Sequence, residues 1–467
     1  MMRVCLILEG CYPYVRGGVS TWAQEYIKSN SDKEFIIWTV NSDRRMAQNP
    51  LYELPENVVE LREIFLEDAY TTSKRHKKEN AEKSDTVIKA LSAILADGEH
   101  NWNDMFDLCR NSTFNSATLG NSESFLAYSV EVAKASEGSI GLSDAYYGLK
   151  SMLLPLHFLL QQEIPEADLY HSAVTGYGGI LGSMAKRITG KPFVLTEHGI
   201  YPREREEELL QADWVIPSLR STWITMFYNL SKCAYFYADK VTSLFKAASN
   251  KQIEIGCSPN KCVVVPNGIH YERFMNILPR EKPETINIGA FLRFAPIKDI
   301  KTLIYAFFEL SRKIKNVCLY LLGGTDDEEY KQECMALIER LGIENIHVEG
   351  HVDTVEYMQK MDITVMSSIS EGQPLAILES LAAAKPCVTT NVGNCKALLE
   401  EPEDEYGQAG FCCVPMDSVG LATAMEKLCI DDNLRITFGQ NGRNRVKSNY
   451  THDMMRKKYL QVYSEVV

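Results

Sequence analysis

INIGAFLRFAPIKDIKTLIYAFFELSRKIKNVCLYLL, residues 286–322, decides the fold. It opens on INIGAF and closes on VCLYLL, two short apolar runs of the kind that form buried strands. Between them Ile300, Leu303, Ile304, Phe307, Leu310 and Ile314 recur at helical spacing, and Asp299 stands where an N-cap belongs. Strand, helix, strand is the repeating unit of a parallel sheet covered by helices. In such sheets ligands bind at the carboxyl ends of the strands, where loops lead into helix N-termini.

The pattern extends in both directions. Downstream, IHVEG, ITVMS, CVTT and FCCV add four strand candidates, and Gly342 closes the helix before the first of them. Upstream, RVCLILE and FIIWTV flank the loop YVRGGVS and a helix from Val19 to about Lys28. DLYHS, FVLTEH, KVTSL and CVVVPNG follow, with a long helix from about Ser218 to Tyr237. Pro279 and Pro283 mark a linker, so the domain boundary is expected near 275–283. The reading is α/β with two Rossmann-like, doubly wound domains facing a cleft. The first covers 1–278 and carries a helical insertion over about 61–160. The second covers 279–450, and an amphipathic helix over 451–467 is expected to pack back on the first. Within the insertion, the basic run Lys74 to Lys78 reads as a solvated helix face.

The chain has 467 residues, is 45% hydrophobic and has a formal net charge of −13. That charge argues against general nucleic-acid binding, which needs surplus Lys and Arg. The thirteen Cys residues are scattered without C-x-x-C or metal-ligand spacing, the usage of a reducing compartment. MMRVCLILEG reads as a first strand rather than a signal peptide, and no apolar run reaches membrane-spanning length. A cytoplasmic protein is expected.

Four stretches carry candidate chemistry. In EGQPLAILE, Glu371 and Glu379 stand eight residues apart. On one helix that spacing means ~12 Å of rise and ~80° of rotation, too far for both to grip one small group. Gly372 and Pro374 instead place the helix start near Pro374, with Glu371 in the preceding loop and Glu379 inside the helix. Unpaired N–H groups then lie between the two acids, a geometry for a long ligand with a phosphate middle. Two surface acids near a helix start explain the spacing equally well. Arg293 and Lys298 occupy the loop after INIGAF and could neutralise a diphosphate, or they form a solvated loop with Lys298 beside Asp299. His198 follows a buried strand and could contact a sugar, or it is a structural histidine. Gly17 and Gly18 would let the backbone approach a ligand.

Together these residues resemble the retaining glycosyltransferases of family 4, of the GT-B fold. The resemblance rests on R-x4-K at Arg293 and Lys298, E-x7-E at Glu371 and Glu379, and VVVPNGI. EGCYPYVRGGVSTW, HSAVTGYGGILG and LTEHGIYPRERE narrow it to the PelF-like subfamily of exopolysaccharide glycosyltransferases, over nearly the whole chain. It implies Arg293 and Lys298 on the donor diphosphate, Glu379 on the ribose hydroxyls and Glu371 on the sugar. It places the backbone of Gly372, Gln373, Pro374, Leu375 and Ala376 on sugar and phosphate, Gly18 beside the phosphate with Gly17 preceding it, His198 beside the transferred sugar, and Val352 near the base. It further implies a UDP-glucose donor, no metal and no cofactor. The acceptor would be a polysaccharide or lipid-linked glycan. A membrane-embedded synthase complex is the expected partner, placing the chain peripherally at the inner membrane face. Ala384 and Cys387 depart from the family pattern, which often has Gly and a small aliphatic residue there, as does Leu292 before Arg293, where Gly is common. The alternatives are a UDP-sugar epimerase or hydrolase of the same fold, and a non-catalytic nucleotide-sugar-binding subunit.

Overall fold

The computed structural model describes residues 1–45, 47, 49–71, 81–136, 139–280, 283–400 and 404–467. The run Lys74 to Lys78 lies outside the described residues. The chain forms two compact units, Met1–Val264 with Leu460–Val467, and Val265–Tyr459.

Among the described residues the first unit holds a seven-stranded parallel sheet. Its strands are β1 (Met2–Glu9), β2 (Lys33–Asn41), β3 (Val58–Phe65), β4 (Leu169–Ser172), β5 (Phe193–Glu197), β6 (Lys240–Ser243) and β7 (Cys262–Val264), in the order β3-β2-β1-β4-β5-β6-β7. The direction of winding reverses between β1 and β4. Strands buried on both faces read as continuous apolar runs, and Val4 to Ile7 of β1 are fully buried.

Residues 58–65 correct the expected insertion boundary. VVELREIF pairs with β2 as an edge strand, so the helical insertion begins after Phe65 and not at 61. Its charges mask the strand because an edge strand turns part of its surface to water, where Val59 stands half exposed. The insertion itself comprises Ala81–Ser92, Trp102–Arg110, Ser116–Gly120, Glu123–Ala135 and Leu142–Leu160. It is no appended module. Leu91, Phe106, Phe125, Leu149 and Leu153 are buried in one cluster with Trp38 and Leu195 of the sheet and Ile180 of the helix Tyr177–Thr189. Each such side chain contributes roughly 1.5–3 kcal/mol by leaving water.

The second unit's strands are β8 (Ile286–Phe291), β9 (Val317–Leu322), β10 (Ile346–Gly350), β11 (Ile363–Met366), β12 (Cys387–Thr390) and β13 (Gly410–Cys413). They form a parallel sheet in the order β10-β9-β8-β11-β12-β13, reversing between β8 and β11. The helix Ile300–Lys313 buries Ile300, Leu303, Ile304, Phe307 and Leu310, as the apolar spacing predicts, while Ile314 falls just beyond its end. Asp299 caps it by accepting the Thr302 N–H.

The unit boundary at Val264/Val265 lies upstream of the expected 275–283. Ile269, Tyr271, Phe274 and Ile277 are buried with Leu378, Leu381 and Val446 of the second unit, so the chain is already packed there before Pro279. Leu460–Val467, the end of the helix His452–Ser464 and the three residues after it, belongs to the first unit.

Candidate functional site

The second unit gathers its candidate residues at the carboxyl edge of its own sheet, where winding reverses. The loop after β8 carries Arg293 and Lys298, and the loop after β11 carries Glu371. Backbone and side-chain bonds tie the two loops together: the Ile369 N–H donates to Ile297 O at 2.8 Å, and Ser367 Oγ donates to Lys298 O at 2.9 Å. Held this way, Lys298 Nζ lies 2.5 Å from Glu371 Oε1. Their side chains are only 19% and 13% exposed. Lys298 therefore pairs with Glu371 and not with its neighbour Asp299, which is turned inward as a helix cap. An ammonium has three donors. One is engaged by Glu371, which leaves the others for an anionic ligand. Arg293 is not drawn into this pair. It is half exposed and forms an ion pair with Asp326, in the loop after β9.

Glu371 and Gly372 are positioned from behind by Gly393. That residue has φ +52°, and a Cβ there would stand 2.0 Å from Glu371 O and 2.4 Å from Gly372 O. Only glycine fits that approach. The Asn394 N–H donates to Gly372 O at 2.8 Å. Gln373 is buried and anchored to Asn267, whose backbone N–H donates to Gln373 Oε1 at 2.7 Å and whose Nδ2 donates to Gln373 O at 3.1 Å. Sequence reasoning gave Asn267 no role beyond its place in VVVPNGI, and its pairing with a residue 106 positions away is a tertiary fact.

Pro374 is the N-cap of the helix Leu375–Ala382, one position earlier than a first helical residue, and no side chain caps it. The first N–H groups of that helix, from Leu375 and Ala376, have no intrahelical partners. Glu379 lies on the helix's fifth residue, half-buried, and among the described residues its carboxylate forms no hydrogen bond or ion pair. Burial pushes its carboxyl up to about 7, opposed by the charge of Arg273. The structure thus separates the two acids as the Gly and Pro imply: one paired in a loop, one open within the helix. Val352 stands on the same edge, after β10 and just before Asp353, which caps the next helix through the Glu356 N–H at 2.8 Å.

The first unit presents a second group at the carboxyl edge of its own sheet. The helix Gly18–Ser29 follows the loop after β1. Gly17, its N-cap, is extended with φ 174°, a conformation open to any residue. What the glycines supply is vacancy, since a Cβ at Gly17 or Gly18 meets nothing within 4 Å. Trp22, one turn along this helix, meets the His198 ring edge-on at 4.9 Å. His198 follows β5, and its buried Nε2 has no hydrogen-bond partner among the described residues. Burial pushes the imidazole down to about 4, so it is neutral at pH 7. Glu197 beside it is an internal brace, taking hydrogen bonds from Thr175 Oγ1 at 2.8 Å, Tyr235 Oη at 2.7 Å and Gln252 Nε2 at 2.8 Å. No group of three or more His, Cys, Asp or Glu among the described residues is placed to hold a metal ion. Among the same residues no helix is long and apolar enough to cross a membrane.

Two Rossmann-like parallel-sheet units, each with candidate residues at the carboxyl edge of its sheet, define the GT-B class of fold. The crystal structure of Anabaena HepE in complex with UDP and glucose superposes with a TM-score of 0.60 at 16% identity, over 98% of this chain and 99% of that one. The chain belongs to the family described as "Domain of unknown function (DUF3492)", matched over residues 2–260, and its residues 272–445 match the glycosyl transferases group 1 family. It is a glycosyltransferase. Among curated relatives, the capsular polysaccharide biosynthesis glycosyltransferase CapM of Staphylococcus aureus is 25% identical over 68% of this chain and 80% of its own length. The UDP-Gal:alpha-D-GlcNAc-diphosphoundecaprenol alpha-1,3-galactosyltransferase of Escherichia coli is 24% identical over 68% of this chain and 79% of its own.

Proposed function

We propose that this glycosyltransferase moves a hexose from a UDP-sugar, glucose from UDP-glucose, to a polysaccharide or lipid-linked acceptor, with retention of anomeric configuration and without a metal ion. The observation that carries the reading is the arrangement around Glu371. A paired Lys298–Glu371, an uncapped helix N-terminus and an open Glu379 follow one another along one sheet edge. A nucleotide-sugar has the matching order of sugar hydroxyls, diphosphate and ribose hydroxyls.

In this scheme Arg293, Lys298 and the N–H groups of Leu375 and Ala376 take the diphosphate as the C1–O bond to phosphate breaks. Arg293 would exchange Asp326 for phosphate, since guanidinium binds either in the same forked geometry. Properly placed cations of this kind are worth on the order of 10²–10³ in rate. The acceptor oxygen then bonds to C1 on the face the diphosphate left, and its proton passes to a departing phosphate oxygen. Glu371 and the neutral His198 orient the positively charged sugar in between. Glu379 holds the ribose, Gly17 and Gly18 leave room at the phosphate, and the backbone near Val352 meets the base.

The PelF-like motifs of the first half, the capsular-polysaccharide relative and the relative with a diphosphoundecaprenol-linked acceptor support a role in exopolysaccharide synthesis, with a membrane-embedded synthase complex as partner at the cytoplasmic membrane face. A thermal-shift and nucleotide-release panel across UDP-glucose, UDP-N-acetylhexosamines, GDP-mannose and ADP-glucose, run with and without EDTA, tests the proposal. Stabilisation and acceptor-dependent UDP release with UDP-glucose, unchanged by EDTA, is expected. A response confined to GDP or ADP donors overturns the donor assignment, and loss of turnover in EDTA overturns metal independence.

A further inference from the structure

The buried Nε2 of His198 has no hydrogen-bond partner among the described residues, and the ring meets Trp22 edge-on at 4.9 Å. What holds Trp22 is therefore decisive. Trp22 stacks on Tyr26 at 5.3 Å and meets His171 edge-on at 5.8 Å. Tyr463, from the chain's last turns, meets both Tyr26 at 6.4 Å and His171 at 5.6 Å.

His171 is the rigid member of this box. It is fully buried on β4, with Nδ1 2.6 Å from Tyr463 Oη and Nε2 2.7 Å from Thr196 Oγ1. Thr196 Oγ1 in turn lies 2.6 Å from Thr242 Oγ1. With both ring nitrogens bonded, the imidazole cannot swivel. Burial keeps it neutral, so one nitrogen donates and the other accepts, giving the hydroxyl chain one direction. Thr196 lies in β5 two residues before His198, which stands just past the strand's end at Glu197. His171 thus acts on His198 twice, through the β5 backbone at Thr196 and through the indole of Trp22.

We propose that Tyr463 is a positioning residue for His198, setting the imidazole's orientation through His171 and Trp22. The inference rests on the reading that His198 works at the transferred sugar. Packing alone would be met by phenylalanine at 463, which fills the same space without a buried hydroxyl needing a partner. The hydroxyl's contribution is to lock His171, and reacting groups displaced by about 1 Å lose on the order of 100-fold in rate.

The test uses the full-length protein with Tyr463→Phe, Tyr463→Ala and, as control, Glu465→Gln. The control removes a different contact of the same segment, the 3.0 Å Lys240–Glu465 ion pair, which does not touch His171. Two readouts are taken: the ring resonances of isotope-labelled histidine, with the His198 signal assigned from His198→Asn, and kcat and KM for UDP-glucose. For Tyr463→Phe the expected result is a shifted His198 signal and kcat down about 10- to 100-fold, with KM within about twofold. Glu465→Gln should leave both at wild-type values. A His198 signal unmoved in both Tyr463 variants overturns the proposal, as does an equal kcat loss in Glu465→Gln. If the wild-type chain turns over no donor, the reading of function fails, and the histidine resonances alone decide whether Tyr463 orients His198.

Discussion

Lys298 and Glu371, 73 residues apart in the chain, meet at 2.5 Å and join the loops that leave β8 and β11. A largely buried ion pair is weak evidence of stabilisation, because both charges lose water. Its value here lies in holding a cation and a carboxylate ready at one sheet edge. Lys298→Ala and Glu371→Ala should each reduce turnover more than 100-fold with the fold intact by circular dichroism. Each single variant also leaves a buried charge without its partner. The double variant should therefore melt closer to wild type than either single one. A single variant with near-wild-type turnover removes that residue from the mechanism.

Glu379 should make donor binding depend on pH. Its carboxyl titrates at about 7, and the ionised form is the better acceptor for ribose hydroxyls. UDP-glucose affinity should rise as pH passes from 6 to 8, by up to about tenfold per unit below 7. The stability effect has the opposite sense. An unfolded glutamate releases its proton near 4.5, whereas the folded site retains it to about 7, so the folded state binds more protons in that window. The contribution of this site to stability is present below 4.5 and falls as pH rises to 7. Glu379→Gln, permanently neutral, should melt higher than wild type at pH 8, by roughly 1–2 kcal/mol once partial exposure is allowed for. It should bind UDP-glucose weakly at every pH. Calorimetry of binding and of unfolding across pH 5–8 checks both arms.

Ala384 has φ 54°, the left-handed conformation that favours glycine, whereas its neighbour Ala383 has φ −76°. Both are buried. Relief of about 1–2 kcal/mol of left-handed strain in Ala384→Gly offsets the lost methyl and the added chain entropy. Ala384→Gly should stay within about 0.5 kcal/mol of wild type. Ala383→Gly, with no strain to relieve, should lose about 1–2 kcal/mol. Urea melts of the two variants compare them directly.

Gly393→Ala should act on the Glu371 loop. The added methyl would collide with the carbonyls of Glu371 and Gly372, and the left-handed φ compounds the strain. A loss of about 1–3 kcal/mol in stability is expected from overpacking. Weakening of UDP-glucose binding by more than tenfold should accompany it, measured by isothermal calorimetry at a temperature where the variant is folded. Unchanged affinity would mean that the loop's placement does not govern the donor site.

The elements most legible in sequence were those with an undivided environment. In the second unit β11 and β12 are buried along their whole length, and the helix after Asp299 has a clean stripe. VVELREIF was hidden because an edge strand mixes apolar and charged residues. The boundary moved because Ile269, Tyr271, Phe274 and Ile277, in a stretch that looks like a tail before a proline linker, are buried with Leu378, Leu381 and Val446 from far along the chain.

By itself the sequence determined that the chain builds two parallel sheets, and that Arg293, Lys298, Glu371, Glu379, Gly17, Gly18 and His198 stand in loops or first turns after strands. Those are local consequences of apolar periodicity and turn chemistry. The tertiary structure alone decided the partners: Lys298 with Glu371 and Arg293 with Asp326, Gln373 with Asn267, Glu379 with no bond among the described residues, and His198 against Trp22 behind a histidine held by Tyr463. Spacing along one element fixes which way a side chain points. Only the folding of separate strands onto one sheet edge fixes what it meets, and hence how much water each charge loses.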